Sequence, residues 1–230
     1  MKYSVILLDA DNTIFDFDAC EKNALTSAFK ELNFKNTEEL LDAYHEINIK
    51  YWAMLAEKKI EKEKLYWARF SELFSLFNID GDPVKTNALY RKYLHKQHVL
   101  YNGATNFLQE LSLSYKLYMV TNGDTLTQKL RLADSKIDRY LSGVFISDEI
   151  GYEKPERGFF DYVANNIPNF SKSNCLLIGD GLKTDIKGAV DYQIDCVWFN
   201  PLNLPCDPSI VPTYRADSYN DIIALLKDIS

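Results

Sequence analysis

The sequence lacks any run of apolar residues close to the ~20 that a membrane-spanning helix requires. It also lacks an excess of positive charge, because 26 lysine and arginine residues stand against 33 aspartate and glutamate residues, giving a net charge of −7. This balance argues against nucleic-acid polymers and membranes as partners. A small anionic substrate remains compatible with it, because a bound metal ion and local lysines can outweigh the overall field.

Cysteine and histidine are both scarce. The four cysteines show no C-x-x-C spacing, and Cys175 and Cys196 lie in apolar runs, where a buried free thiol is expected. The three histidines, at positions 45, 95 and 98, all fall in a segment predicted to be helical, which disfavours a histidine-rich zinc site. The N-terminus predicts a strand instead of a signal peptide, so we expect a reducing, cytoplasmic location.

A short apolar run near the N-terminus ends in two carboxylates. Val5–Leu8 has no polar alternation, which is typical of a strand buried on both faces of a parallel sheet. Asp9 and Asp11 follow it, and in extended backbone their side chains point the same way. Ligands of open α/β sheets bind at the carboxyl ends of strands, so we expect these aspartates at the rim of an active site.

The rest of the chain divides into a helical block and an alternating block. Residues 16–99 carry helical apolar spacing, with a fourth helix predicted to run towards Leu100. After residue 100, strands alternate with helices, which predicts a doubly wound parallel sheet. We therefore predict an α/β fold in which residues 1–15 and 100–230 form the catalytic core and residues 16–99 form an inserted all-helical domain.

Polar side chains also follow the later predicted strands. The set consists of Thr121, Asn122, Lys154, Asp180 and Asp185. Because the carboxyl ends of parallel strands share one edge of a sheet, we expect these residues to meet Asp9 and Asp11 there. This shared edge is the main prediction from the sequence.

The predicted rim has the composition of a magnesium site with a nucleophile. Clustered aspartates repel one another unless a positive charge lies between them. A site made only of oxygen ligands, with few carboxylates and with water, suits Mg²⁺ better than Ca²⁺. A carboxylate can attack an electrophile and form a covalent intermediate. Lys154 could hold such a carboxylate beside an anionic substrate. The Thr121 hydroxyl and backbone N–H groups near Gly123 or Gly181 could bind phosphate oxygens.

Four ordered segments resemble the motifs of the haloacid dehalogenase (HAD) superfamily. They are Asp9–Thr13, Thr121–Gly123, Lys154–Pro155 and Gly179–Asp185. The resemblance spans almost the whole chain and includes a helical insertion after the first motif. It implies a Rossmann-like core, a C1-type cap and Mg²⁺-dependent phosphoryl transfer through an aspartyl phosphate.

The resemblance also implies roles for the reacting groups. Asp9 would be the nucleophile, and Asp11 the general acid/base that protonates the leaving oxygen and then activates water. Thr121 and Lys154 would be catalytic and, with Asn122, would bind the substrate.

A metal site is implied by the same motifs. Asp9 and Asp180 would bind the ion through their carboxylates, and Asp11 through its backbone carbonyl. Asp185 would contact the metal directly or through water.

Two features narrow the implied chemistry. An acid at Asp11 favours phosphate esters over haloacids, because a leaving alkoxide needs a proton and a halide does not. The segment from Trp52 to Phe70 and the segment Gly151–Tyr162 are similar to the pyrimidine 5'-nucleotidase subfamily. We therefore expect hydrolysis of nucleoside 5'-monophosphates. The aromatic side chains of Phe15, Phe17, Tyr51 and Trp52 could line a slot for the base.

Other interpretations of the function of these residues stay open. The substrate could be another small phosphorylated metabolite such as a sugar phosphate. The chain could instead be a β-phosphoglucomutase-like mutase, a 2-haloacid dehalogenase or a protein that only binds a phosphorylated ligand. Gly181 and Asp124 depart from the subfamily pattern, and the charge of Asp124 lies near a site expected to bind anions.

Overall fold

A computed structural model describes residues 2–229. The chain forms two compact units within that range. One runs as far as Asp16 and resumes at His98, and the other is Phe17–Gln97. No helix among the described residues has the length and apolar character needed to cross a membrane.

The first unit is built on a parallel sheet. Its strands in the described part of the chain are β1 (Val5–Leu8), β2 (Lys116–Thr121), β3 (Gly143–Ile146), β4 (Cys175–Gly179), β5 (Asp195–Phe199) and β6 (Tyr214–Ala216). Their order across the sheet is β3-β2-β1-β4-β5-β6. The central strand β1 pairs in parallel with β2 on one side and with β4 on the other. The predicted doubly wound parallel sheet is therefore confirmed.

Helices cover this sheet and form the second unit. The second unit contains α1 (Phe17–Glu31), α2 (Glu38–Ala56), α3 (Lys62–Phe77) and α4 (Pro83–Leu94). The first unit contains α5 (Ala104–Ser112), α6 (Thr125–Ser135), α7 (Ser147–Ile150), α8 (Arg157–Asn166), α9 (Lys187–Tyr192) and α10 (Tyr219–Asp228). A π-helical turn, Leu182–Ile186, leads directly into α9.

Successive side chains of β1 enter opposite layers of the core. Ile6 and Leu8 pack into one apolar cluster, and Val5 and Leu7 pack into the other. All four are buried, which explains why this strand has no polar alternation. Burial on both faces leaves only the ends of the strand for chemistry.

The apolar core of the helical unit contains a network of hydrogen bonds between polar side chains. Arg69 Nη1 donates to Asn48 Oδ1 at 2.6 Å, and Asn48 Nδ2 donates to the Glu21 carboxylate. Glu21 also lies 2.8 Å from Nδ1 of His45. Glu21, Asn48 and Arg69 are buried, so these contacts offset the cost of removing charged and amide groups from water.

The structure corrects one predicted boundary and adds two elements. The fourth helix ends at Leu94 instead of running towards Leu100. Val99 and Leu100 are held in extended pairing with the end of the first motif loop, since Asp16 N donates to Val99 O and Phe15 forms a bridge with Leu100. The strand β6 and the short helix α7 were not predicted from the sequence.

Candidate active site

The carboxyl end of β1 carries a buried carboxylate. Asp9 follows the last residue of the strand, and its backbone N donates to Ile178 O of β4 at 2.9 Å. Its side chain accepts a hydrogen bond from Lys154 Nζ at 2.6 Å. The same ammonium group donates to Asp185 Oδ1 at 2.6 Å and to the Val120 carbonyl at 2.8 Å. Lys154 is thus fixed between two carboxylates that come from distant parts of the chain.

Asp9, Asp180 and Asp185 form an acidic cluster. Each offers a carboxylate oxygen, and these oxygens all lie within 4.8 Å of one another. One lysine cannot balance three carboxylates. Burial, followed by the charge of Asp185, raises the pKa of Asp9 to about 7 in the absence of a metal ion. Burial and the charges of Asp9 and Asp185 also hold the pKa of Asp180 well above its usual range.

The cluster favours the charged form of Lys154. Burial by itself would lower the pKa of Lys154, but the Asp185 and Asp9 carboxylates outweigh it and the pKa is raised. Lys154 is therefore a permanent cation, and the excess charge of the cluster is negative. An all-oxygen donor set with surplus negative charge fits a hard divalent cation such as Mg²⁺.

Within the cluster, Asp185 has both oxygens engaged by the protein. Oδ1 accepts from Lys154, and Oδ2 accepts from the backbone N of Gly181 at 3.0 Å. A Cβ atom at position 181 would lie 2.7 Å from that second oxygen and 2.2 Å from Thr184 Oγ1. A serine at Gly181 would therefore displace side chains that hold the cluster.

The end of β2 carries Asn122, which contacts Lys154, and Thr121, the candidate for binding phosphate. Asn122 Nδ2 donates to the Lys154 carbonyl at 2.8 Å, and the Lys154 backbone N donates to Asn122 Oδ1 at 2.8 Å. The buried Thr121 hydroxyl accepts from the backbone N of Gly123 at 3.0 Å. In this arrangement the Asn122 amide holds Lys154 in place.

Asp11 lies apart from the acidic cluster in its side-chain contacts. Its Oδ1 accepts from Arg131 Nη1 at 2.6 Å, and its Oδ2 accepts from Gln128 Nε2 at 2.8 Å. Asp11 remains partly exposed, whereas Arg131 is fully buried. The carboxylate of Asp11 is thus oriented by two donors of α6.

Sequence reasoning did not identify Thr13, Gln128 or Arg131 as site residues. Thr13 Oγ1 accepts from the backbone N of Asp180 at 3.1 Å, so it joins the loops after β1 and β4. Thr13 belongs to the first motif, which was a usable signal. Gln128 and Arg131 are three residues apart on the helix that follows the second motif, and that spacing on one helix face was the signal for them.

One prediction about a neighbouring residue is corrected, and a second gains a structural context. Phe15 was expected to line a slot for a base, but its ring is fully buried in the core beneath the first motif loop. Asp124 was expected to add charge near the anion site. Its carboxylate caps α6 by accepting from the backbone N and the hydroxyl of Thr127, both at 2.9 Å, and the effect of its charge on anion binding stays a prediction.

A doubly wound parallel sheet with acidic residues and a buried lysine at its carboxyl edge places the candidate site where ligands of open α/β enzymes bind. The model of the haloacid dehalogenase-like hydrolase family matches residues 3–191. The chain therefore belongs to the haloacid dehalogenase-like hydrolases, and the resemblance seen in the four motifs is confirmed.

Several relatives are similar over nearly their full length. HAD-hydrolase YfnB of Bacillus subtilis is 35% identical over 225 residues, covering 98% of this chain and 96% of the relative. Pyrimidine 5'-nucleotidase PynA of Streptococcus pneumoniae is 38% identical over 227 residues, with the same coverage. Pyrimidine 5'-nucleotidase YjjG of Escherichia coli is 27% identical, covering 98% of this chain and 99% of the relative.

Solved structures give the same assignment of fold. A crystal structure of YfnB, described as bound to magnesium, superposes with a TM-score of 0.95 at 34% identity and covers 98% of this chain and 99% of that one. L-2-haloacid dehalogenase of Xanthobacter autotrophicus superposes with a TM-score of 0.77 at 12% identity, covering 99% and 100%. The second similarity concerns the fold alone.

Proposed function

We propose that this protein is a Mg²⁺-dependent phosphatase that forms an aspartyl phosphate on Asp9 and hydrolyses nucleoside 5'-monophosphates. The observation that carries the proposal is the buried Lys154 ammonium group, held at 2.6 Å from both Asp9 and Asp185. In this proposal residues 1–15 and 100–230 form the catalytic core and residues 16–99 act as its cap.

The carboxylates of Asp9 and Asp180 and the backbone carbonyl of Asp11 would hold the metal ion. When bound, Mg²⁺ supplies positive charge that keeps these carboxylates ionised and offsets the charge of the transferred phosphoryl group. Asp185 acts mainly by holding Lys154, since both of its oxygens already accept hydrogen bonds.

The first step transfers the phosphoryl group to the enzyme. A carboxylate oxygen of Asp9 attacks phosphorus, and the bond between phosphorus and the ester oxygen breaks. The carboxyl group of Asp11 gives its proton to the leaving oxygen, which departs as the alcohol of the nucleoside. Lys154 and the Thr121 hydroxyl bind the phosphoryl oxygens and orient the group for attack.

The second step releases phosphate and restores the enzyme. Asp11, now ionised, takes a proton from a water molecule as the water oxygen attacks phosphorus. The bond between phosphorus and the Asp9 oxygen breaks, and Asp9 returns to its carboxylate form. Asp11 ends the cycle protonated, so the net reaction consumes only the ester and one water molecule.

The nucleotide assignment is supported by the named relatives. PynA and YjjG carry the name pyrimidine 5'-nucleotidase, and both align over 98% of this chain, which includes the helical unit. N-acylneuraminate-9-phosphatase of Homo sapiens aligns over only 53% of the chain. Since the first two alignments extend through the proposed cap, they favour a nucleoside monophosphate with a pyrimidine base.

Phosphate release across a panel of esters tests this proposal. The panel contains pyrimidine and purine nucleoside 5'-monophosphates, hexose phosphates and small alkyl phosphates, each assayed with Mg²⁺ and with EDTA. We expect metal-dependent release that is greatest with pyrimidine nucleotides and absent in Asp9→Asn.

Each alternative has a distinct result in this panel once a 2-haloacid is added to it. Greater release from hexose phosphates would replace the nucleotide assignment but keep the chemistry. Isomerisation of a phosphosugar without net release would indicate a mutase, and halide release from a 2-haloacid would indicate a dehalogenase.

A further inference from the structure

The buried side of helix α6 carries the polar residues Gln128 and Arg131 beside Leu132. Gln128 and Arg131 are only 1% and 0% exposed, whereas Leu126 and Leu130 are 53% and 39% exposed. An ordinary amphipathic helix has the opposite arrangement. Burial of a guanidinium group is costly unless the charge is paired, so this inversion indicates that the polar face of α6 has a specific task.

Arg131 contacts the loop that follows β1 at two residues. Its Nη1 donates to Asp11 Oδ1 at 2.6 Å, and its Cζ lies 4.2 Å from the ring centroid of Phe15. Asp11 and Phe15 belong to the same loop and are paired in a bridge, and the backbone N of Asn12 donates to Phe15 O at 2.8 Å. The guanidinium group therefore fixes Asp11 against a rigid loop.

Gln128 connects two groups that have separate roles in the proposed reaction. Its Nε2 donates to Asp11 Oδ2 at 2.8 Å and lies 3.3 Å from Thr121 Oγ1. Gly123 makes this approach possible, because a Cβ atom there would lie 2.3 Å from that same nitrogen. One amide group thus donates to both candidate residues.

We propose that Arg131 and Gln128 are positioning residues that orient the Asp11 carboxyl group for proton exchange with the leaving oxygen. This inference rests on the phosphatase function proposed above. Arg131 Nη1 holds Oδ1 and Gln128 Nε2 holds Oδ2, so the plane of the Asp11 carboxyl group is fixed by two side chains of one helix. In this orientation the carboxyl group gives its proton to the leaving oxygen, and later takes one from the attacking water.

The proposal predicts a dependence on the leaving group. A nucleoside monophosphate releases a poor leaving group that needs a proton, whereas p-nitrophenyl phosphate releases a phenolate that scarcely needs one. We compare kcat/KM for the two esters, because this ratio reports the steps up to departure of the leaving group. Arg131→Met retains the packing against Phe15 but removes the donors to Asp11.

In Arg131→Met we expect kcat/KM to fall by about 100-fold for the nucleotide and by less than about fivefold for the aryl ester, since general acid catalysis contributes 10²–10⁴-fold. Arg131→Lys should recover at least about tenfold of the loss. Lys129→Met, an exposed position on the same helix, should behave as wild type. Gln128→Met should show the same ester dependence with a smaller loss, and it provides the test if Arg131→Met does not fold.

Equal losses on both esters, or no loss on either, would overturn this inference and leave the phosphatase function intact. If wild type releases no phosphate from either ester in the presence of Mg²⁺, the proposed function fails and the inference fails with it. The two failures are therefore distinguishable in one set of assays.

Discussion

Asn122 holds the backbone of Lys154 through two reciprocal hydrogen bonds of 2.8 Å. Its Nδ2 donates to the Lys154 carbonyl, and its Oδ1 accepts from the Lys154 backbone N. The pair connects the end of β2 to the loop that carries the lysine. The ammonium group of Lys154 therefore reaches Asp9 and Asp185 from a backbone whose position is fixed.

Removing this support should weaken both stability and catalysis. Asn122→Ala leaves a backbone donor and acceptor of Lys154 without their partner, which should lower the free energy of unfolding by about 1–3 kcal/mol. We expect kcat to fall by about tenfold or more because the lysine loses its orientation. Thermal unfolding and steady-state kinetics measure the two effects.

Asn166→Ala is the matched control, since Asn166 is exposed and its side chain only bonds the Tyr162 carbonyl of its own helix. It should change neither quantity appreciably. An Asn122→Ala protein with unchanged melting temperature and unchanged kcat would show that the reciprocal pair has no such role.

Stabilisation by Mg²⁺ should depend on pH. The ordinary pKa of Asp9 is 3.8, and in the metal-free fold it is raised to about 7. Between these values the folded state binds more protons than the unfolded state, so the free energy of unfolding falls as pH rises across this window. A bound cation favours the ionised carboxylates, and protons compete with it at low pH.

The increase in melting temperature caused by Mg²⁺ should therefore be larger near pH 7.5 than near pH 5.5. Asp180→Asn should remove most of the increase, because Asp180 is a member of the acidic cluster. Asp134→Asn, at an exposed position, should retain it. Equal stabilisation at the two pH values would contradict the assignment of this cluster as the metal site.

The polar contacts inside the helical unit should make the free energy of unfolding depend on pH. Burial raises the pKa of Glu21 from 4.5, although His45 opposes this shift. The hydrogen bond to Glu21 is the main cause of the raised pKa of His45, whose ordinary value is 6.5. Both groups hold protons more tightly when folded, so the free energy of unfolding decreases as pH rises from about 4.5 to above 6.5.

Glu21→Gln should reduce this pH dependence by roughly 1 kcal/mol or less, because the His45 ring is partly exposed and screened by solvent. Glu46→Gln, an exposed neighbour on α2, should leave the dependence unchanged. Denaturant unfolding at several pH values measures it. A variant that keeps the full wild-type dependence would show that this pair does not titrate as proposed.

The edge of the sheet that carries the site could be predicted from the sequence because its determinants are local. A continuous apolar run followed by Asp9 identifies a buried strand and its end, and parallel order brings such ends together. Asp180 and Lys154 are located by the same argument. By contrast, β6 is a three-residue edge strand that exists through pairing with β5, and no local pattern marks it.

The support for Asp11 could not be predicted from hydrophobic periodicity. That pattern places charged residues on the solvent side of a helix, but Arg131 is buried while Leu130 is exposed. The reason is a tertiary contact: Arg131 pairs with Asp11, which lies 120 positions away in the chain. The ring of Phe15 was also misjudged, because its place in the apolar core of the first unit is set by tertiary packing.

Formation of a beryllium trifluoride adduct on Asp9 is the most direct test of the central claim. This anion mimics a phosphoryl group on a carboxylate oxygen, so the result does not depend on which ester is the substrate. Fluorine NMR with Mg²⁺ should show bound fluoride resonances in wild type and in Asp11→Asn, and none in Asp9→Asn. Absence of bound resonances in wild type, or their persistence in Asp9→Asn, would contradict Asp9 as the nucleophile.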